Sequence, residues 1–328
     1  MIEITSDPPY DSCMKHALVA SLYLLLFLAP NLNGNDSAAS TAGGGIQLIK
    51  ESRISITKER LAISEERVTV EYEFFNETDQ PISTEVAFPV PPYKLLIEDP
   101  GGPRSFDDFR VWVQGKELNY QTEVRGKLLN GSDCSAVLRR FGIDIASFGH
   151  FDPVTIISAD YIKLSDSQKK ELKDAGFFTP NPAWTVQKMY HWRQVFPARK
   201  TIHVRHEYAP VYGFSWIGAE ALEEKMSDAC VDPTMQRRLA QSLTKDVYMM
   251  WVDYILTTAN NWKTPIKDFE LLVERPKGDT KRRSRFHTWY VSFCWDGDIS
   301  EIDSDHFLAK KVNFAPKREL RVFFFGVQ

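Results

Sequence analysis

Apolar and polar positions alternate along much of the chain. In Val68–Phe74, Val68, Val70, Tyr72 and Phe74 fall on one face and Thr69, Glu71 and Glu73 on the other, the period of a half-buried antiparallel strand. Asn76–Asp79 carries turn chemistry, and Thr84–Val90 resumes a strand that Pro91 and Pro92 end. Phe109–Val113 and Glu117–Val124 flank Gln114-Gly115 and are expected to form a hairpin. Further on, Val186, Tyr190, Trp192 and Phe196 share one face of a run, and Ile202, Val204, His206 and Tyr208 share one face of the next. Joined by Pro197–Lys200, these two runs are expected to pair as a second hairpin. More strands are predicted over Tyr248–Leu256, Phe269–Val273, Trp289–Phe293 and Leu320–Phe325.

Helical spacing replaces alternation between about residues 130 and 182. Ser135–Phe141 precedes a capping Gly142, and Ser165–Lys173 opens on a capping serine. Pro233–Leu243 is a further helix candidate. The expected fold is mainly β (α+β): two antiparallel β-sandwich-like domains, residues 35–129 and 183–328, with a mostly helical insertion, residues 130–182, between them.

The N-terminus has a different pattern. Lys15 and His16 precede an unbroken apolar run, Ala17–Ala29, which leads into small and polar residues from Asn33 to Ser37. The run is well short of the roughly 20 residues that span a bilayer, so residues 1–34 are read as a cleaved signal peptide. An uncleaved anchor is the alternative, because Leu32 is an imperfect residue three positions before the cut. Met1–Cys13 is polar and acidic, unlike the start of a signal, so Met14 is the expected effective start and Asn35 the first mature residue. No cysteine follows the apolar run at a lipoprotein cleavage position. The product is expected to be soluble, periplasmic or secreted, with no transmembrane segment after cleavage.

Composition narrows the partners. The 328-residue chain has a formal charge of −4. Its first 34 residues hold three acidic side chains and one lysine, so the remaining 294 residues carry about −2. That near-neutral balance argues against nucleic acid. The basic run Lys281–Arg285 reads as a solvated hairpin tip. Cys134, Cys230 and Cys294 survive processing. Cys294 ends a strand-like run and Cys230 sits in a polar turn before a helix, so a disulfide between them is the chosen pairing, contributing about 3–4 kcal/mol. Cys134 is expected to be a small buried residue, and the spacings fit no zinc motif.

Several constellations invite chemistry. His203 and His206 are three residues apart on a strand, so alternation sends them to opposite faces and they cannot share a metal. His206 lies on the apolar face, where a hydrogen-bonded core histidine is preferred to a catalytic base. Asp296, Asp298, Asp303 and Asp305 lack the glycine and glutamate of a calcium loop and read as turn residues. Gly213–Gly218 lacks the second glycine of a nucleophile elbow. Asn260-Asn261-Trp262, ahead of Pro265, is the most distinctive loop: it can bind a sugar or peptide by stacking and amide hydrogen bonds, or form a packed turn, which is preferred.

The order of Asn35-Asp-Ser37, Gly43-Gly-Gly45, Val68-x-Val-x-Tyr-x-Phe-Phe-Asn76, Ala87-Phe-Pro-Val-Pro91, Phe196-Pro197, His206-x-Tyr-x-Pro210, Tyr254-x-Leu256, Trp262, Pro265-Ile266 and Ser292-Phe-Cys294 resembles the exported bacterial proteins of domain-of-unknown-function family 4424, over nearly all of the chain after residue 34. The resemblance implies an exported bacterial protein, is consistent with the Cys230–Cys294 pair, and brings no activity, cofactor or site residue. The favoured function is a non-enzymatic envelope module that binds an envelope protein or glycan, since no acid, base, nucleophile or metal set converges. The competing reading is an exported hydrolase of carbohydrate or peptide. It requires two or more of His206, Glu207, Asp253 and Asp303 to meet in one pocket.

Overall fold

The computed structural model describes residues 35–42, 45–93, 106, 108–128, 130–146, 162–179, 181–218, 225–241, 247–277 and 286–327. Residues 1–34, where the sequence leads us to expect a signal peptide, and the basic run 281–285 lie outside the described residues. In chain order, β1 (Ser37–Ala42), β2 (Gly45–Ile49), β3 (Ile54–Ile63), β4 (Val68–Asn76) and β5 (Ile82–Pro89) precede the shorter β6 (Arg110–Val113), β7 (Lys116–Glu117) and β8 (Gln121–Leu128). Helices α1 (Ser135–Arg140) and α2 (Asp166–Asp174) and the two-residue strands β9 (Phe178–Thr179) and β10 (Asn181–Pro182) follow. Next come β11 (Trp184–Phe196), β12 (Thr201–Tyr208), β13 (Tyr212–Ile217), α3 (Pro233–Gln241) and β14 (Val247–Tyr254). A 3-10 turn (Thr257–Asn261), β15 (Ile266–Glu274), β16 (Thr288–Phe293), β17 (Ile299–Glu301), β18 (His306–Phe314) and β19 (Leu320–Val327) complete the chain.

The fold is mainly β, with antiparallel sheets and few helices. Its spine is an eight-stranded sheet in the order β17-β18-β15-β3-β4-β12-β6-β7, antiparallel except where β3 and β15 run parallel. The spine therefore takes strands from both sides of the 130–182 segment. One face buries Leu61, Val70, Tyr72, Val204, Leu271 and their neighbours, as the alternation in each strand dictates. A five-stranded sheet, β2-β1-β5-β11-β8, covers part of that face: Phe88 of β5 and Trp192 of β11 meet His206 of β12 at ring separations of 4.9 and 5.3 Å. A four-stranded sheet, β13-β14-β19-β16, reaches the same face, with the Tyr254 hydroxyl of β14 3.0 Å from that of Tyr72 of β4. Among the described residues no helix is long and apolar enough to cross a membrane.

One pairing differs from expectation. β11 and β12 are consecutive and joined by Pro197–Lys200, but they do not form a hairpin: β11 lies between β5 and β8, whereas β12 lies between β4 and β6. The turn carries the chain from one sheet to the other, so the two apolar faces meet across the sandwich instead of lying side by side. Alternation alone specifies which side chains are buried and is blind to this choice. The β6–β7 hairpin is present. Gln114 and Gly115 have φ of 51° and 74°, the pair of positive values a two-residue turn of this hand requires, after which β8 leaves to pair with β11. Helix α2 begins with the expected Ser165 cap, completed into a capping box by Gln168. Gly142, at φ 70°, closes α1 while Ile143 N donates to Leu138 O at 3.0 Å.

Candidate functional site

The polar residues of the core converge where the three large sheets meet, around the segment Asn35-Asp36-Ser37. Pairing of β1 with β5, Ser37 opposite Ala87, fixes this segment. Asn35, Asp36, Glu59 and His206 are all 0 % exposed. The Asn35 amide nitrogen donates to both oxygens of Glu59, at 3.1 and 3.0 Å, while its oxygen accepts from the Tyr72 hydroxyl and from Asp36 N at 2.9 Å. His206 Nε2 lies 3.1 Å from Asp36 Oδ2, an ion-pair distance without hydrogen-bond alignment, and Asp36 Oδ1 and His206 Nδ1 have no hydrogen-bond partner among the described residues. Trp262 Nε1 donates to Asp36 O at 2.5 Å, and Asn261 Nδ2 to Ser37 Oγ at 2.9 Å.

Burial dominates the electrostatics of this cluster. It pushes the Glu59 carboxyl up to about 8, despite the Asn35 amide, which favours the charged form. It also raises Asp36, outweighing the opposing pull of His206. The phenols of Tyr72, Tyr208 and Tyr254 are likewise raised by burial. Two acids, one imidazole and three neutral phenols thus share a region closed to solvent.

The structure brings together several residues marked in the sequence and separates others. His206, Asn261 and Trp262 all engage Asn35–Ser37. Trp262 is buried with its ring 4.8 Å from that of Phe74, so its faces are not offered to a ligand. Asn260 turns away and donates to Pro316 O at 2.8 Å. Glu207 is on the opposite face of β12 from His206, 2.8 Å from Arg205; Asp253 pairs with Arg321 at 2.5 and 2.9 Å; Asp303 accepts from Asp305 N and His306 N at 2.8 and 2.9 Å. These four groups do not meet in one pocket. His203 projects from the face opposite His206, and among the described residues no group of His, Cys, Asp and Glu is arranged to hold a metal. Cys230 and Cys294 stand at disulfide distance, Cα atoms 5.1 Å apart, and Cys134 is a buried free thiol that burial raises to about 11.

Glu59 is not marked by the sequence motifs, and Asp36, Tyr72 and Tyr254 stand in them only as strand or family-motif positions, without a role at a site. Glu59 carried a readable signal, since it is in phase with Leu61 and Ile63 on the buried face of β3. A register shift between Ile56 and Lys58 hides that phase from anyone counting from Ile54.

The other face of the spine is open. It forms a trough of about 720 Å³ floored by the outward side chains of β3, β4, β12 and β15. Charges of both signs alternate across it: Arg60 reaches Asp268 at 3.4 Å and Glu270 at 3.5 Å, and Arg205 reaches Glu71 at 3.8 Å. At one side the Trp112 ring has the Arg110 guanidinium at 4.7 Å and that of Arg205 at 4.9 Å.

The family model for Domain of unknown function (DUF4424) matches residues 34–323. The chain belongs to the DUF4424 family. The match takes in the buried cluster, the trough and the Cys230–Cys294 pair of this DUF4424 chain. No curated protein matches it. Among solved structures it is similar to a candidate nutrient binding protein of Legionella pneumophila, at 14% identity and a TM-score of 0.43, covering 89% of this chain and 70% of that one.

Proposed function

We propose that this DUF4424 chain is an exported envelope protein, cleaved ahead of Asn35, that acts by binding a partner through the trough on the open face of its eight-stranded sheet. The observation that carries this reading is the contrast between the two faces of the spine. The convergent acids and imidazole are sealed at 0 % exposure, where no substrate reaches them, while the accessible face presents a wide array of paired charges on regular strands. The Trp112 ring is already engaged by the guanidinium groups of Arg110 and Arg205, with which a sugar would have to compete for stacking. The chemistry favours a protein segment bearing charges of both signs over a glycan.

A photo-crosslinking amino acid placed at Thr69 in the trough, and for comparison at Lys169 on α2, tests this in the native envelope. A discrete adduct from position 69 that is absent from position 169 and lost with Arg205→Glu is the expected result. Equal labelling at the two positions, or none at 69, overturns the proposal.

A further inference from the structure

The buried cluster has an unbalanced charge inventory. Among the described residues, Asp36, ahead of β1, and Glu59, on β3, are its carboxyl groups, and the other titratable groups facing it are Tyr72 of β4, His206 and Tyr208 of β12, and Tyr254 of β14. Of these only the imidazole can carry positive charge. Asp36 Oδ1 is fully buried and accepts no hydrogen bond from the described residues. Removing carboxylates from water is costly without cations or donors to meet them. Asn35 is the residue that touches both acids, through its amide to Glu59 and its peptide link to Asp36. Covalent geometry keeps its backbone nitrogen within about 5 Å of its own side-chain amide.

We propose that cutting the chain between Gly34 and Asn35 creates a binding site within the protein itself, in which the new α-amino group of Asn35 becomes the buried counter-ion of Asp36 and Glu59. Hydrolysis of that peptide bond by a peptidase consumes one water, leaves a carboxylate on Gly34 and an amine on Asn35, and the amine takes up a proton at neutral pH. In the uncut chain the same nitrogen is a neutral amide. Processing then completes the charge balance of the junction between the three sheets, coupling maturation to stability. This inference rests on the export reading above, specifically on cleavage ahead of Asn35.

The pH dependence separates the two forms. With the amide, the raised Glu59 carboxyl holds its proton in the folded state up to about 8, whereas it releases it near 4.5 when unfolded, so stability falls as pH rises through that window. With the ammonium, Glu59 stays ionised when folded and the window closes. The folded ammonium, its pKa raised by the two carboxylates, contributes stability that is full below its unfolded value of about 8 and lost as pH rises through the folded one.

The test compares three chains ending at Gln328: one beginning at Asn35 with a free amine, the same chain Nα-acetylated, and one that retains Gly34. The free-amine chain is expected to melt higher than the other two by about 5 °C or more at pH 7.5, with the gap narrowing at pH 5 and in a Glu59→Gln background. Equal melting temperatures, or a gap indifferent to both pH and Glu59→Gln, overturn the counter-ion. N-terminal sequencing of the exported protein distinguishes the failures: a start elsewhere than Asn35 overturns the cleavage reading, while a start at Asn35 with equal melting overturns only the proposed site.

Discussion

Asn35 shows how one short side chain organises a core. Its amide bridges Glu59 on β3 to Tyr72 on β4, and Tyr72 in turn meets Tyr254 on β14 at 3.0 Å. Tyr72→Phe keeps the ring and removes the hydroxyl, leaving the Asn35 oxygen short of a donor in a buried setting. It is expected to cost about 1–3 kcal/mol, read by urea denaturation of the 35–328 chain. Trp262→Phe removes the Nε1 donor to Asp36 O and part of a buried ring, for a loss of about 2–4 kcal/mol by the same measurement. Much of the residue chemistry was visible in the sequence: His206 on an apolar face and Asn261-Trp262 in a distinctive loop both stand out. What they hold was not visible, because the contact between Trp262 and Asp36 joins parts of the chain 226 residues apart. Local spacing carries no record of such a meeting.

At the level of elements, burial and pairing came apart. The alternation in β11 and β12 places Tyr190, Trp192, Val204 and His206 inward, as observed, yet the same alternation is satisfied by a hairpin and by the arch that exists. The caps and turns were more legible because their determinants are local: Ser165 with Gln168, and Gln114-Gly115, act within four residues. Close approach of elements sets a further limit. Gly213 on β13 lies opposite Trp251 on β14, and a Cβ there would stand 2.1 Å from the indole. Gly213→Ala is therefore expected to destabilise by about 1–3 kcal/mol through displacement of that ring, with a change in tryptophan fluorescence that tracks the loss.

For the whole molecule, the shared spine predicts cooperativity. β3 and β4 come from before the helical segment and β12, β15 and β18 from after it, yet they form one hydrogen-bonded sheet. Calorimetry of the 35–328 chain is expected to show a single transition, and two separated transitions would mean that the halves melt independently. Reduction of the Cys230–Cys294 link, which spans 64 residues, is expected to lower that transition by an amount corresponding to about 2–5 kcal/mol.

The parallel pairing of β3 with β15 also has a consequence in time. A chain is made from its N-terminus, so β3 exists for about 200 residues of synthesis before the strand that lies beside it. Until then its far edge offers unpaired backbone groups, with Leu61 and Ile63 uncovered, to any other strand nearby. The interval of greatest hazard for aggregation is thus written into the order of the strands. It ends only when the last fifth of the chain arrives to close the sheet.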